Sequence, residues 1–377
     1  MKPFVFSADS HIMEPADIFR DGLPASLRKY AIHTWQDGEF RLTGTEDKVI
    51  YRLRTGKHRE TELGDTTRKG IREIPGRLED MELEGIDAEI CFPSLGLWLY
   101  ALDNPEAEAA SARLYNDWND SFLGGHPNRF VRCGMLPVLD FSNTLAELDY
   151  LAAKGFTSAM LPATSPTGMP KYNDEKWDPI FAKGAEHGIV FVMHTGTGLE
   201  TVIPERGPGG GNINYTKQMN DAQNTAMYLV AGGVLDRNPG AHILFAEHSA
   251  GWLWGLAERM DEVYHGHAPS IEPKLSRLPS QIVRDQVHCA LQNDGNSSMA
   301  IRHGVGIGAL LFATDYPHAE GTFPFSRQVV DQMIAANPDV TTDELVAVLG
   351  GNAARLFTRA NLGAQVEARR AQLLAAA

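Results

Sequence analysis

Histidine and carboxylate side chains follow four separate apolar runs of the sequence, each at the point where the run ends. Asp9 and His11 close the first run, His194 ends FVMH, His248 follows ILFAE, and Asp315 follows LLFAT. Asp9 and His11 are two residues apart, so both side chains point to the same side of an extended segment. Imidazole and carboxylate are ligands that a catalytic Zn²⁺ or another divalent cation uses, with one position left open for water or substrate. The pattern therefore predicts a shared metal site.

Each of these residues also has an ordinary structural explanation when it is considered alone. The chain has 13 histidines, and a single histidine is more often a surface residue or a hydrogen-bonded part of the core. Asp315 could cap the turn Asp-Tyr-Pro, and Asp9 could cap the segment that follows it. These separate explanations do not account for the common position at the ends of successive runs, so we favour the metal site.

The apolar runs belong to an alternation of predicted strands and helices. Eight short runs rich in Val, Ile, Phe and Leu predict strands at 4–8, 88–93, 130–138, 157–161, 189–194, 242–247, 287–292 and 308–314. Most are near-continuous rather than alternating, which is typical of strands buried on both faces. Amphipathic stretches predict helices at 106–124, 144–154, 177–187 and 251–264. The alternation predicts an α/β fold, a (β/α)8 TIM barrel whose site lies at the carboxyl ends of the strands, with a doubly wound open sheet as the alternative.

Two regions interrupt this alternation. Residues from about 17 to 76 are polar and contain DGLP and TGTEDK, which predicts an insertion after the first strand with a small hairpin. The segment 199–224 contains ERGPGGGN, whose glycines suit a mobile loop above a site but lack the lysine and spacing of a nucleotide-binding loop. Residues from about 340 to 377 predict C-terminal helices. We therefore predict one domain over 1–377.

Composition restricts the class of protein. Of the 377 residues, 43% are hydrophobic and 22% are charged, which permits a large buried core. The net charge of −14 argues against nucleic acid or an anionic membrane as partner. Cys91, Cys133 and Cys289 form no CxxC pair, which argues against a disulfide framework and suits a reducing compartment. The first apolar run breaks at Asp9, too early for a signal peptide, and no run approaches the roughly 20 residues that span a bilayer. We predict a cytoplasmic protein.

Five motifs occur in an order that resembles a known group of enzymes. They are DSH near the N-terminus, MHTG, AEHSAGW, ATDYPHAEGTFP and LGGNAARLF. Together they resemble the amidohydrolase-related group of the amidohydrolase superfamily, which includes aminocarboxymuconate-semialdehyde decarboxylase and the γ-resorcylate and carboxyvanillate decarboxylases. The resemblance covers nearly the whole chain. It implies one divalent metal ion held by Asp9, His11, His194 and Asp315, with Zn²⁺ as the first expectation and Mn²⁺ or Fe²⁺ as alternatives.

The resemblance also implies roles for individual residues. Asp9 stands where many superfamily members have the first His of an HxH pair and where the resorcylate-type decarboxylases have Glu. The fourth strand (MLPAT) ends without the lysine that bridges two metals in binuclear members, which favours one metal. His248 is the implied acid or base beside the metal, and Asp315 could also move a proton. His318 is expected to support the site or contact substrate, and Glu14 to anchor a loop.

An anionic substrate requires a positive partner and, if it is aromatic, a flat apolar wall. Arg259, after the sixth strand, is one candidate for the positive charge. The other candidates are Arg206 in the Gly-rich segment and Arg52, Arg54 and Lys57 in the insertion. Trp252 is the first candidate for the wall, followed by Phe92, Trp98, Trp254 and Tyr316. Solvated surface charge and core packing are the alternative explanations for these residues.

The expected function is nonoxidative decarboxylation of an aromatic or unsaturated carboxylic acid. The alternative is a hydrolase that uses a metal-activated water against an amide, ester, lactone or C–C bond. Lesser alternatives are an iron-dependent oxygenase and a non-catalytic subunit on the same fold. Members of the group are homo-oligomers as a rule, so a homodimer or higher homo-oligomer is expected by analogy.

Overall fold

Eight parallel strands form the centre of the molecule. The structure, a computed structural model, describes residues 3–54, 68–198, 205 and 207–376. Its strands are β1 (Phe6–Ser7), β2 (His33–Asp37), β3 (Phe40–Gly44), β4 (Val49–Arg54), β5 (Ala88–Cys91), β6 (Phe130–Met135), β7 (Ser158–Pro162), β8 (Val190–His194), β9 (Ile243–Ala246), β10 (Val287–Leu291) and β11 (Leu310–Phe312). In the central sheet, β1 and β5 to β11 are neighbours in chain order, and every pair is parallel.

The sheet closes on itself between its first and last strands. The Ala8 N–H donates to the Phe312 carbonyl at 2.8 Å, and the Asp315 N–H donates to the Asp9 carbonyl at 2.9 Å. The hydroxyls of Ser7 and Thr314 lie 2.8 Å apart across the same seam. The predicted (β/α)8 barrel is therefore confirmed, and the open doubly wound sheet is excluded.

Helices cover the outside of the barrel. They are α1 (Ile18–Gly22), α2 (Ile74–Glu84), α3 (Pro105–Leu123), α4 (Phe141–Ala153), α5 (Asp178–His187), α6 (Gly210–Lys217), α7 (Met219–Ala231), α8 (Val234–Arg237), α9 (Trp252–Gly266), α10 (Pro279–Gln286), α11 (Gly295–Ala300), α12 (Ser326–Ala336), α13 (Thr342–Val346), α14 (Asn352–Leu356) and α15 (Gly363–Ala376). The four predicted helices correspond to α3, α4, α5 and α9. Local signals set their ends, since the Asn104 side chain caps α3 by accepting from the Ala107 N–H, and Gly188 ends α5 in the left-handed conformation.

Both faces of the barrel strands are buried, which explains their near-continuous apolar sequence. In β8, Val190 and Val192 belong to one buried cluster, whereas Phe191 and Met193 belong to another. This alternation follows from the two-residue period of a strand. His194 has the same parity as Val190 and Val192, so the strand directs it to the same side as these two residues.

The insertion after β1 forms a sheet of its own. β2, β3 and β4 make an antiparallel three-stranded sheet, so the predicted hairpin gains a third strand. The ring of Tyr51 in β4 stacks on Trp98, which follows β5, with the ring centroids 4.8 Å apart. This stacking joins the insertion to the carboxyl end of the barrel.

The C-terminal helices attach to the barrel through the LGGN motif. The Asn352 side-chain amide donates to the carbonyls of Ile307 and Leu310 at 2.7 and 2.6 Å, and these hydrogen bonds fix the start of α14 beside β11. Among the described residues, no helix is both long and apolar enough to cross a bilayer. The three cysteines are buried and free of disulfides.

A histidine pair lies at the amino ends of β9 and β10, opposite the predicted site. The Nδ1 atom of His288 lies 3.1 Å from the Gly308 carbonyl, and its Nε2 atom lies 3.2 Å from Nδ1 of His242. The carbonyl accepts a hydrogen bond from Nδ1–H, so Nε2 carries the lone pair and is the acceptor in the neutral ring. Burial and then the neighbouring His242 lower the pKa of His288 from 6.5 to about 4.

This lowered pKa makes the fold sensitive to acid. The unfolded chain binds a proton at His288 near pH 6.5, and the folded chain does not. The contribution of His288 to the free energy of unfolding is therefore fully present above pH 6.5. It falls on acidification by roughly 1.4 kcal/mol per pH unit and levels off near the folded pKa, a total of about 3 kcal/mol. We expect the free energy of unfolding of His288→Gln, measured by urea titration at pH 7.5 and 5, to change less with pH than that of wild type. Equal pH slopes would contradict this prediction.

Candidate metal centre

The carboxyl end of the barrel brings together the four residues predicted to bind metal. The Nε2 atom of His11 lies 3.4 Å from Oδ1 of Asp9 and 3.4 Å from Oδ1 of Asp315. The Nε2 atom of His194 lies 3.5 Å from Oδ1 of Asp9. Ligand atoms bound tetrahedrally to one cation at about 2.1 Å are separated by roughly 3.4 Å. The spacing of these atoms is therefore the spacing of a coordination sphere.

Backbone carbonyls orient both imidazoles toward the cluster. The Nδ1 atom of His11 lies 3.1 Å from the Pro93 carbonyl, and that of His194 lies 2.6 Å from the Thr195 carbonyl. A carbonyl only accepts, so Nδ1 carries the proton in the neutral ring and Nε2 keeps its lone pair for the cluster.

The atoms of the cluster have few other partners. Both Nε2 atoms, both carboxylate oxygens of Asp9 and Oδ2 of Asp315 are buried and form no hydrogen bond among the described residues. Buried polar atoms are normally hydrogen-bonded. Here five nitrogen and oxygen atoms that could each bind a metal ion converge without a hydrogen-bond partner. Two imidazoles and two carboxylates with free lone pairs are a suitable donor set for a divalent metal ion.

The chain holds Asp9 and Asp315 together through the backbone. Besides the bond between the Asp315 N–H and the Asp9 carbonyl, the His11 N–H donates to the Tyr316 carbonyl at 2.7 Å. Asp315 has a positive φ of 52°, a conformation that residues other than glycine rarely adopt. Burial alone would raise the pKa of Asp315, but His318 and His11 outweigh it and hold the pKa below its usual range.

Glu247 is a member of the cluster that the sequence analysis missed. Its Oε2 atom lies 3.5 Å from Nε2 of His194. Ligand atoms of His11, Glu247, Asp315 and His318 all lie within 4.8 Å of one another. Burial, followed by the charge of Asp315, raises the pKa of Glu247 well above its usual range. The only signal in the sequence was its position directly after the apolar run of β9.

His248, the predicted acid or base, belongs to neither group of adjacent ligand atoms in the described part of the chain. The side chain is buried, and burial together with His194 lowers its pKa to about 3. Such an imidazole is neutral at physiological pH and is a weak base. His248 nevertheless lies near enough to His194 to feel its charge, and both of its ring nitrogens are buried without a hydrogen bond in the described part of the chain.

His318 lies closer to the cluster than the sequence analysis expected of a supporting residue. Its Nδ1 atom is 2.8 Å from Oδ1 of Asp315, and its ring centroid is 4.2 Å from that of His11. Burial would lower the pKa of His318, but Asp315 raises it to about 10. The side chain is 33% exposed, so it links the buried carboxylate to the open side of the site.

Sequence and structure comparisons identify the family. A family model described as amidohydrolase matches residues 30–359. The chain belongs to the amidohydrolase family. The resemblance inferred from the motifs is therefore confirmed. No curated protein matches the chain.

Several solved structures are similar to this amidohydrolase. Amidohydrolase map2389c from Mycobacterium avium subsp. paratuberculosis K-10 has a TM-score of 0.76 and 17% identity, over 95% of this chain and 100% of that one. 5-Carboxyvanillate decarboxylase LigW from Sphingomonas paucimobilis has a TM-score of 0.66 and 18% identity, over 95% and 99%. A dihydroxybenzoic acid decarboxylase from Polaromonas sp. JS666, which contains manganese and the inhibitor 2-nitroresorcinol, has a TM-score of 0.63 and 16% identity, over 95% and 97%.

The candidate substrate-binding residues of this amidohydrolase lie in different places. Arg259 is 66% exposed on α9 and pairs with Glu262 at 2.7 Å, so the structure does not bring it to the cluster. Trp252 is half-buried, and its indole N–H donates to the His248 carbonyl at 3.0 Å. Trp252 therefore supports the turn after β9. The guanidinium of Arg52 lies over the Phe40 ring. Arg206, Lys57 and the side chain of Arg54 lie outside the described residues.

The aromatic candidates are likewise divided. The Phe92 ring lies 5.2 Å from the His194 ring, edge to face, and therefore lines the cluster. The Tyr316 hydroxyl donates to Asp80 at 2.5 Å, whereas the Trp254 indole donates to Glu258 on the same helix at 2.9 Å. Tyr316 and Trp254 therefore make hydrogen bonds within the fold, and these contacts do not connect them with the cluster.

Glu14 is the loop anchor that the sequence analysis expected. Its carboxylate accepts from the backbone N–H groups of Ser94, Leu95 and Gly96 at 3.2, 2.9 and 2.8 Å. Burial raises its pKa against these hydrogen bonds. The loop after β1 is thus attached to the segment after β5, whose Pro93 carbonyl also lies against His11.

A cavity of about 500 Å³ lies between the insertion, this loop and α3. Its walls include Arg41, Arg72, Trp98 and Trp118, a combination of guanidinium and aromatic groups that the sequence analysis did not assemble. None of the cluster residues lines this cavity. A choice of site by cavity volume alone would therefore have selected a region that contains none of the candidate metal ligands.

Proposed function

We propose that this amidohydrolase is a metal-dependent nonoxidative decarboxylase of an aromatic or unsaturated carboxylic acid. The observation that carries the proposal is the convergence of unpaired, buried nitrogen and oxygen atoms from three strand ends. The similarity to structures named as decarboxylases of 5-carboxyvanillate and dihydroxybenzoate supports this activity over others of the fold. Family membership supports an enzyme rather than a non-catalytic subunit.

Asp9, His11, His194 and Asp315 would hold one divalent ion. When bound, that ion would supply a positive charge for the substrate carboxylate and a neighbouring oxygen. The donor set suits Zn²⁺, Mn²⁺ or Fe²⁺, and the manganese in the Polaromonas structure supports testing Mn²⁺ beside Zn²⁺. The absence of a lysine from β7, which ends at Pro162, agrees with one ion rather than two.

Decarboxylation replaces the bond from carbon to CO₂ by a bond from carbon to hydrogen, so one proton must reach that carbon. His318 is our candidate for this delivery. Its Nδ1 donates to Asp315, and its ring is partly exposed beside His11, so that it can exchange protons with solvent. Phe92 at the cluster excludes water from one side. His248, buried and neutral, would then help to shape the site without supplying the proton.

The test is product analysis with a panel of hydroxybenzoates and unsaturated carboxylic acids. Protein loaded with Mn²⁺ or Zn²⁺ is expected to release CO₂ from at least one acid. In D₂O the product should carry one deuterium at the carbon that held the carboxylate. Cleavage of amide, ester or lactone analogues without CO₂ release would favour the hydrolase instead. Oxygen consumption with Fe²⁺ would favour the oxygenase.

The assignment of 1–377 to one domain, the homo-oligomeric state and the cytoplasmic location stay predictions. The oligomeric state is measured directly by analytical ultracentrifugation of the metal-loaded protein.

A further inference from the structure

We propose that Glu247 is a fifth protein ligand of the metal ion, from the end of β9. The proposal rests on the proposed metal site and deepens it, because it defines the ligand set that selects the metal. The AEHSAGW motif contains Glu247, but neither the resemblance nor the sequence analysis gave this residue a role as a ligand.

The distances of Glu247 match those of the other ligands. Its Oε2 atom is 3.5 Å from Nε2 of His194, the same separation that Oδ1 of Asp9 has from that nitrogen. Since Nδ1 of His194 already donates to a carbonyl, its Nε2 lone pair faces two carboxylates. A cation between them converts this arrangement from repulsive to attractive. Glu247 also shares one group of adjacent ligand atoms with His11 and Asp315.

The contacts of this carboxylate are with the cluster itself. Glu247 is 12% exposed, its Oε2 atom lies 3.5 Å from His194, and it lies within 4.8 Å of ligand atoms of Asp315 and His318. Burying a second carboxylate beside Asp315 is costly unless positive charge compensates it. The φ of 59° at Glu247 adds backbone strain, since glutamate rarely adopts the left-handed region. Strain of this kind persists where the surrounding structure fixes a functional side chain.

A fifth ligand changes the metal that the site prefers. Asp9, Glu247 and Asp315 supply three carboxylates, against two imidazoles from His11 and His194. Oxygen-rich sets of five or six ligands suit Mn²⁺ and Fe²⁺, whereas Zn²⁺ favours four-coordinate sites rich in nitrogen or sulfur. We therefore expect Mn²⁺ to support a well-ordered five- or six-coordinate site in this protein.

The experiment measures metal binding without reference to catalysis. Mn²⁺ affinity is determined by electron paramagnetic resonance titration, and coordination number from the visible absorption of the Co²⁺ form, which is intense for four ligands and weak for five or six. The variants are Glu247→Gln, Glu247→Asp and the charge-matched control Glu320→Gln. Glu320 is exposed and acts on His318 only through its charge, so it reports the long-range effect of removing one negative charge near the site.

Loss of a ligand should weaken Mn²⁺ binding of Glu247→Gln by at least about tenfold, since even outer partners of ligands cost 10- to 100-fold. The Co²⁺ bands should intensify, and Glu320→Gln should stay within about twofold of wild type. Glu247→Asp, whose carboxylate is one methylene shorter, should also bind more weakly, and it replaces Glu247→Gln if that variant does not fold.

Three results would overturn the proposal, and they differ from one another. Wild-type affinity and Co²⁺ absorption in both Glu247 variants would show that Glu247 is not a ligand while the metal site itself stands. Equal weakening in Glu247→Gln and Glu320→Gln would assign the effect to charge alone. Wild-type protein that binds neither Mn²⁺ nor Co²⁺ would remove the proposed function together with this inference.

Discussion

Replacement of His194 by alanine is expected to abolish metal retention and catalysis while the barrel stays folded. His194 is the residue whose Nε2 contacts both Asp9 and Glu247, so its loss removes one of two imidazoles and leaves two carboxylates without a partner between them. We expect metal affinity to fall by at least about 100-fold, the upper end of the range for residues that only support a ligand. Elemental analysis after dialysis should give about one metal ion per wild-type chain and almost none per variant chain.

The same loss is expected for His11→Ala and Asp315→Ala, since both residues belong to the same cluster. His265→Ala is the matched control, because His265 is an exposed histidine on α9, away from the barrel interior. Far-ultraviolet circular dichroism of the metal-free proteins checks that the variants are folded. Full metal occupancy in the His194 and Asp315 variants would disprove the assignment of these ligands.

Replacement of Arg77 by methionine is expected to destabilise the fold more than a substitution at any exposed ion pair described above. Arg77 in α2 is almost fully buried and pairs with Glu89 of β5 at 2.5 Å. It also donates to the His11 carbonyl at 2.7 Å and lies over the Tyr316 ring. Removing one member of a buried pair leaves an uncompensated charge, which costs about 3–5 kcal/mol. The loss should appear in urea unfolding of the metal-free protein.

A double replacement separates the charge from the packing. In the double variant Arg77→Met with Glu89→Gln, neither charge of this buried pair remains. Part of the lost free energy of unfolding should therefore return. Arg259→Met is the control, because the exposed Arg259–Glu262 pair should contribute less than about 1 kcal/mol. Arg77→Met should also weaken metal binding, since it releases the backbone of His11. A destabilisation as small as that of the control would refute the role given to Arg77.

The candidate ligands at the strand ends were predictable from the apolar runs and from the parallel arrangement of the strands. Apolar runs buried on both faces identify the strands, and parallel strands end on the same side of a barrel. In β8 the two-residue alternation continues through His194, so the parity of the sequence gives the correct side. Asp9 and His11 do not continue the alternation in this way, because Phe6 and Ala8 belong to the same cluster as Val190 and Val192 but have the opposite parity to the two ligand candidates. The two-residue spacing of Asp9 and His11 predicts only that they share one side.

Glu247 was missed because this rule fails at β9. Extending the alternation of Leu244 and Ala246 leads to His248, but the left-handed backbone at Glu247 interrupts the period at that residue. A positive φ at a residue other than glycine leaves no mark in the sequence. The prediction that Arg259 contacts substrate failed for a different reason. Arg259 lies two turns into α9, and only the structure shows that this face of the helix is exposed.

The seam between the first and last strands has a consequence for biosynthesis. Ser7 and Thr314 are 307 residues apart in the sequence and share a hydrogen bond, and next to them Asp9 and Asp315 contribute to the same proposed coordination sphere. A nascent chain therefore has no complete proposed site until Asp315 has been synthesised. A polypeptide truncated before this residue would lack one of the four proposed ligands and the backbone hydrogen bond that joins Asp315 to Asp9.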